Sequence, residues 1–464
     1  MASSIETTST TTTLKNNGNT YATVDTNDDV TITNDLVVSG TIKTDDATQA
    51  SSTSDGSLQT DGGLSVTKDA VLGNDIRLLS DACRVLFGIN LEVQLTHVHN
   101  VGLSLNSDLA VTSLNGGQLG GNRNRIINGD MKIDQRNAAA AVTITTGNQF
   151  SVDRFQGITS VSSKYSLQQT TTAAVGFVNS IKALSLSAYT VGVGEQNLIR
   201  HHVEGLNMGD LNWGTSDAKT VTLSFQVRSS LTGTFGGSIF NYNGSRSYPF
   251  SYSIGSADTW TTISITIAGD TSGTWLATNG VGMTIAFGLG VGANLSGTAG
   301  SWVGAYKSSA SSTVSILGTN AATLYITGVQ LEAGTVATPF EHRSYGTELA
   351  LCQRYAPIFN FSGSNQTISG SGFAYSTTAA LINCTFPVQT RVAATGVTVT
   401  GTFNAYNTAG GNSGNFTGIA RGAGNSVYSG TLNCTGGSGL TDAQGTYLLS
   451  PAGVSQIEFT GCEL

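Results

Sequence analysis

Few residues in this chain are equipped for chemistry, and they fall into three groups. The first is His97-Val98-His99. On a strand, residues i and i+2 point the same way, so both imidazoles share a face. Three copies about an axis would aim six ring nitrogens at one point, an octahedral set that suits a transition metal such as iron or nickel. The simpler role is local hydrogen bonding beside a turn. The second group is His342, flanked by Glu341 and Arg343. A histidine between charges resembles a general base, but no nucleophile motif stands near it, and such alternating charges more often pair across a subunit contact. The third group is aromatic. Tyr242, Tyr248, Phe250 and Tyr252 gather around Arg246, and Trp213, Trp260, Trp275 and Trp302 lie in the same part of the chain. Aromatic faces stack on the apolar faces of sugars, while amides and carboxylates take the hydroxyls. A core position is the first expectation for any one Trp. The tyrosines, Phe250 and Arg246 sit in a Gly/Ser/Asn-rich stretch, are expected at the surface, and with Trp260 make the candidate ligand site.

Composition narrows the function classes. Glycoside hydrolysis needs two carboxylates flanking one bond. The 29 acids are thinly spread, with no long β-helix repeat and no acid-rich aromatic groove, so the chain reads as a non-enzyme. The net charge is −8 and no basic run occurs, which argues against a nucleic-acid partner. No apolar stretch approaches the roughly 20 residues of a membrane span, and the N-terminus carries no signal peptide. Synthesis in a cytosol and no membrane insertion are therefore expected. Cys83, Cys352, Cys384, Cys434 and Cys462 are odd in number and lack CxxC spacing, so they read as free, mostly buried thiols.

The elements that must position these groups are strands. Only 11% of residues are charged, against about a quarter in typical soluble proteins, and 58 of 464 are Gly. Abundant Thr, Val and Gly disfavours helix and suits strands joined by tight turns, so the fold class is all-β. Residues 1–28 are Ser/Thr/Asn-rich with isolated apolar residues and are expected to be largely irregular. Residues 29–109 carry short apolar runs (Leu36–Val38, Leu64 and Val66, Ile76 and Leu78) bounded by turn pairs. From Val85 to Leu105 the odd positions are largely apolar, with turns expected near 88–90 and 100–102. So narrow an apolar face cannot close a core alone, whereas three copies about an axis can, which gives an interwound trimeric β shaft. Residues 110–121 form a Gly-rich linker. Between 122 and 343, Val221, Leu223, Phe225 and Val227 alternate, as do Ile263, Ile265 and Ile267, then Met283, Ile285, Phe287 and Leu289. That pattern makes a two-sheet, jelly-roll-like antiparallel sandwich. Residues 358–464, poor in charge, read as a distal β domain with strands at Phe373–Thr377, Leu381–Phe386, Val397–Phe403, Ser426–Asn433 and Gln456–Thr460.

Between these two β regions, Gly328–Tyr355 reads GVQLEAGTVATPFEHRSYGTELALCQRY. Val329 and Leu331 share one strand face, with Gln330 and Glu332 on the other, and from Thr347 the period becomes helical. Tyr345, Leu349 and Cys352 fall on one side, joined by Leu351 and Tyr355, giving a junction helix within 344–357. This stretch closely resembles the end of a sandwich-like module in tail-fibre and tail-appendage proteins of tailed bacteriophages. The module's opening is also matched by Asn124–Gln135 (NRIINGDMKIDQ) and by Val152–Phe155 (VDRF, where relatives commonly have ADRW). The resemblance covers roughly 122–355. It singles out Asn128, Gly129, Asp130, Asp153, Arg154, Glu332, Phe340, Glu341, Arg343, Glu348 and Arg354. In sugar-binding sandwiches of similar pattern, the opening turn and an acid on the last strand hold a structural calcium, for which Asp130 and Glu332 would be the carboxylates. A core or turn role is the alternative. Phe386–Ala394 (FPVQTRVAA) is similar to a fibre-end motif, FPVxMRxxP, with Thr390 and Ala394 in place of Met and Pro; its strand is expected to persist.

The resemblance implies an elongated, homotrimeric fibre or spike on the virion. It would dock to other tail or virion proteins by its N-terminal segment and meet a host-surface glycan or protein with its β modules. An architectural fibre or adaptor with no receptor of its own is the alternative, and a polysaccharide-cleaving tailspike ranks below it.

Overall fold

A computed structural model describes residues 3–7, 12–16, 19–24, 30–32, 66–67, 70, 83–87, 93–98, 102–105 and 122–464, apart from 146, 369, 408–410 and 452 in the last span. The chain is all-β, with one short α-helix among the described residues. It divides into two compact units, Met1–Leu109 and Ala110–Leu464. The linker 110–121, His99 and the expected strands at Leu36–Val38 and Ile76–Leu78 lie outside the described residues.

In the first unit, Ser3–Thr7, Thr12–Asn16, Asn19–Val24 and Val30–Ile32 form a four-stranded antiparallel meander. This corrects the irregular N-terminal segment expected above. Asn16 lies opposite Asn19. A three-stranded antiparallel sheet follows, made of Arg84–Phe87, Val93–Val98 and Gly102–Leu105; the turns expected at 88–90 and 100–101 lie outside the described residues. Among the described residues of this unit no apolar side chain is buried, and Ile5, Leu14, Val85, Leu86 and Val98 are exposed.

The second unit opens with a sandwich of two six-stranded antiparallel sheets. One runs in the order Ser247–Ile254, Gly233–Asn241, Val281–Val291, Gln196–Glu204, Phe155–Thr159, Gln149–Phe150. The other runs Thr261–Ile267, Val221–Ser229, Thr323–Ala333, Ser180–Ser185, Tyr165–Thr170, Val142–Thr143. The chain crosses repeatedly between the sheets, as in a jelly roll. Val221, Leu223, Phe225 and Val227 meet Ile285, Phe287, Leu324 and Leu331 in one fully buried core. Each such side chain stabilises the fold by roughly 1.5–3 kcal/mol relative to its exposed state.

The last strand of the sandwich, Thr323–Ala333, is buried on both sides. Val329 and Leu331 face the core, while Gln330 and Glu332 are covered by the segment that follows. The backbone N–H of Glu341 donates to Gln330 Oε1 (2.8 Å), and that of Thr338 donates to Glu332 Oε1 (2.8 Å). The helix Tyr345–Gln353 then starts on Ser344, whose hydroxyl accepts from the Thr347 N–H. Cys352 and Tyr355 are buried against Ile127 and Ile133, with Leu349 and Leu351 beside them. Tyr345, placed by periodicity on this apolar side, is instead exposed. It belongs to the first turn, before the helix meets the sandwich.

Beyond the helix a separate core forms around Phe361, Ile382, Phe403, Leu432, Leu448 and Phe459. A three-stranded sheet runs Ile358–Phe361, Ser455–Thr460, Gly396–Thr400. An eight-stranded sheet runs Gly411–Asn412, Asn404–Asn407, Gly445–Ser450, Gly370–Ser376, Ala379–Thr385, Ser429–Thr435, Gly418–Arg421, with Gln366–Thr367 added on Gly445–Ser450. The FPVQTRVAA stretch carries no strand, correcting the expectation that it would persist. Pro387 has no N–H for a ladder, and Phe386 and Thr390 bond instead to the backbone of Tyr428 and Val427.

Candidate functional site

The aromatic cluster that composition offers as a ligand site is dismantled by the fold. Tyr248, Phe250 and Tyr252 are core residues on the edge strand Ser247–Ile254, where Pro249 is tolerated because one side of the strand needs no ladder partner. The surface placement expected for them is therefore corrected. Arg246 is bound to Asp270 by two 2.7 Å hydrogen bonds. Trp213, Trp275 and Trp302 pack edge to face, with ring centres 4.7–5.5 Å apart, and Tyr248 joins Trp302. Trp260 stands apart, against Tyr325. Of the predicted set, Tyr242 alone is broadly open to solvent, at 48%.

The motif residues, by contrast, converge, and they form an architectural lock. Asn128 adopts φ 61° and its amide spans the backbone carbonyls of Ile133 and Asp153, while its N–H donates to Glu348. Gly129 must be glycine: a Cβ there would stand 2.1 Å from the Val329 carbonyl oxygen. Arg343 reaches the Asn124 and Ile126 carbonyls and the carboxylates of Glu341 and Glu348. Burial raises the Glu348 carboxyl above its usual range. Phe340 packs on Phe177, 5.1 Å between centres. Arg354 holds Glu204 bidentately at 2.7 and 2.9 Å. Burial alone would raise the Glu204 carboxyl, but the hydrogen bonds from Arg354 and Tyr355 hold it below the ordinary value. Asp153, buried beside Arg136 and bonded to Gln135, is pushed up to about 6 by burial.

The two acids considered for calcium have separate partners. Asp130 pairs with Lys132 at 2.6 Å, and Glu332 accepts from Thr338 and Gln330. Among the described residues no group of three or more His, Cys, Asp or Glu gathers in a metal-binding arrangement. His97 lies within Val93–Val98, half-buried, opposite Leu103. His342 is exposed and packs against Phe177 and Phe340. The cysteines are all free and all but Cys83 are buried.

The surface best equipped for binding lies on the eight-stranded sheet, and composition did not single it out. One face of that sheet buries Ala374, Ala380, Ile382, Leu432, Cys434 and Leu448. The pleat therefore turns Phe373, Tyr375, Leu381 and Tyr447 to the other face. Phe373 is 47%, Tyr375 44% and Tyr406 39% exposed. Register places Tyr406 opposite Tyr447, their rings stacked at 5.2 Å and 20°. Phe373 lies opposite Gly445 on one side and Leu381 on the other, and Leu381 lies opposite Asn433. The Tyr375 hydroxyl donates to Asn433 Oδ1 at 2.7 Å. The result is an aromatic strip across neighbouring strands with amide groups beside it. Gly372, between the two strands, admits no side chain, since a Cβ there would meet the Leu381 carbonyl oxygen at 1.7 Å. Ring faces with neutral donors and acceptors fit a neutral saccharide chain. The signal available in sequence was the odd-position spacing of Phe373 and Tyr375 in one strand.

No protein-family model matches the chain, and no curated protein matches it. Solved structures do. One is the enzymatically active domain of tailspike protein 4 of bacteriophage CBA120, at 11% identity and TM-score 0.24, covering 45% of this chain and 21% of that one. A second is a putative sugar binding protein from Bacteroides thetaiotaomicron, at 12% identity and TM-score 0.25, covering 46% of this chain and all of that one. A third is a family 11 carbohydrate-binding module from Clostridium thermocellum, in complex with a mixed-linked tetrasaccharide, at 11% identity and TM-score 0.23, covering 43% and 99%. This chain thus spans about a fifth of the length of the tailspike domain it matches.

Proposed function

We propose that the chain is a homotrimeric host-recognition fibre or spike of a tailed bacteriophage, carried on the virion, and that its C-terminal domain binds a neutral surface glycan. The observation that carries the binding role is the strip Phe373–Tyr375–Tyr406–Tyr447, in which Phe373, Tyr375 and Tyr406 are exposed and Tyr447 is partly buried under the stacked Tyr406 ring. Aromatic area of this kind costs free energy in water and is kept where a partner uses it. The phage reading is supported by the sequence motifs, whose residues meet in one hydrogen-bonded lock. Self-association is supported by the first unit, whose described strands leave their apolar side chains uncovered. The role is that of a binder, with no bond broken.

The test is adsorption competition with the full-length protein. Host cells saturated with it should leave phage particles unbound, and the Tyr406→Ala/Tyr447→Ala variant should lose that blocking while remaining folded. Blocking by the variant equal to the parent would remove the aromatic strip from recognition. No blocking by either would favour an architectural fibre. Release of reducing sugar ends from host polysaccharide would make the protein an enzyme and overturn the reading.

A further inference from the structure

A second recess, in the sandwich and away from the aromatic strip, carries its own ligand chemistry. It has a volume of about 350 Å³, within the range of small-molecule sites, and lies between the motif turn at Asp130, the loop at Phe177 and the start of the helix at Tyr345. Its polar wall is Asp130, Lys132, Asn179 and His342, and its apolar wall is Phe177 and Tyr345.

Asp130 is only 6% exposed. Its Oδ2 accepts from Lys132 Nζ at 2.6 Å, but its Oδ1 has no hydrogen-bond partner in the protein. That Oδ1 is closed off from solvent, so Asp130 serves the recess by holding the Lys132 ammonium in place. Lys132 also donates to the Arg343 carbonyl at 3.1 Å, which leaves one of its three N–H groups for a ligand. Because the carboxylate is already neutralised by this ammonium, a charged ligand gains little, whereas a hydroxyl group can accept from the remaining N–H.

The apolar wall is built to stay in place. Phe177 packs over Gly328, where φ is 62° and a Cβ would meet the ring at 2.5 Å. Phe340 and His342 hold the same ring from the side, with centres 5.1 and 5.5 Å away. Tyr345 stands at the rim, 62% exposed although it lies in a helix whose later turns are packed.

We propose that this recess is a saccharide subsite, taking one neutral hexopyranose. The C–H face of the sugar lies on Tyr345 and Phe177, and a hydroxyl accepts from Lys132, which Asp130 holds in place. The site does not depend on the aromatic strip, and either can fail without the other.

Saturation-transfer NMR on the full chain tests it, with the methyl pyranosides of glucose, galactose, mannose and N-acetylglucosamine as probes. At least one should show saturation of its ring protons. Tyr345→Ala should weaken that binding tenfold or more, Tyr345→Phe should retain it, and Asp130→Asn should weaken it. Every protein in this series also carries Tyr406→Ala/Tyr447→Ala, so that the aromatic strip cannot supply the signal. Because Tyr345 is exposed, its alanine variant should unfold at the parent temperature, so lost binding there is not lost folding. The proposal is overturned if no probe binds in that background, or if adding Tyr345→Ala to it leaves binding unchanged. It is equally overturned if Tyr345→Ala changes the oligomeric state while no sugar binds, which would make the recess a contact between chains.

Discussion

The guanidinium of Arg154 lies 3.7 Å from the centre of the Tyr355 ring, and both side chains are almost wholly buried. This contact joins the VDRF and QRY ends of the module across the sandwich. Arg154 also donates to the His202 carbonyl and pairs with Glu463, which in turn pairs with Arg136. One carboxylate from the C-terminal domain thus serves two arginines of the sandwich.

Glu463→Gln should therefore be costly. Removing one partner of a buried pair leaves an uncompensated charge, a loss of about 3–5 kcal/mol. Thermal unfolding followed by circular dichroism should show a clear drop in midpoint. A change below about 1 kcal/mol would mean solvent already screens the pair.

Gly129→Ala should destabilise by about 1–3 kcal/mol, because the added methyl must displace the Val329 backbone carbonyl rather than a movable side chain. Gly346→Ala is the control. No atom lies within 4 Å of a Cβ at that helical position, so gain of helix propensity should leave the protein equally or more stable, by up to about 1 kcal/mol. Equal midpoints for the two variants would refute the close-approach argument.

Stability should fall as pH drops through about 6.5. His201 and His202 are buried, and burial, reinforced by nearby Arg154 and Arg200, holds both well below their ordinary value. The unfolded chain then binds more protons than the folded one, at about 1.4 kcal/mol per pH unit for each ring. Asp153 acts the other way: its carboxyl, raised to about 6, takes its proton in the folded state first and returns stability between about pH 6 and 4. Midpoints measured from pH 7.5 to 5 should fall, His202→Gln should flatten the fall, and Asp153→Asn should steepen it below pH 6. A slope unchanged by His202→Gln would contradict the assignment.

The exposed apolar residues of the first unit predict self-association. Sedimentation of the full chain should give a trimer, and Val85→Ser/Leu86→Ser should weaken it by tenfold or more, since each buried apolar side chain contributes about 1.5–3 kcal/mol. A monomer in the parent protein would end the trimeric reading.

Sequence alone determined the class and much of the sandwich. The alternation of Val221, Leu223, Phe225 and Val227 is a local consequence of the pleat, and the structure buries all four. The junction strand and helix were legible for the same reason. The N-terminal meander is not legible in this way, because its strands are Ser/Thr/Asn-rich with only isolated apolar residues.

Tertiary structure decided which face of each strand was covered. Tyr248, Phe250 and Tyr252 alternate just as Phe373 and Tyr375 do, yet the first set is core and the second is surface. Nothing in either stretch distinguishes them, since the difference lies in whether another layer packs on that face. The same holds for Asn128 and Glu348, whose bond spans 220 residues. A pleat fixes the period of side chains along one strand, but only packing among distant segments fixes which of them meets water.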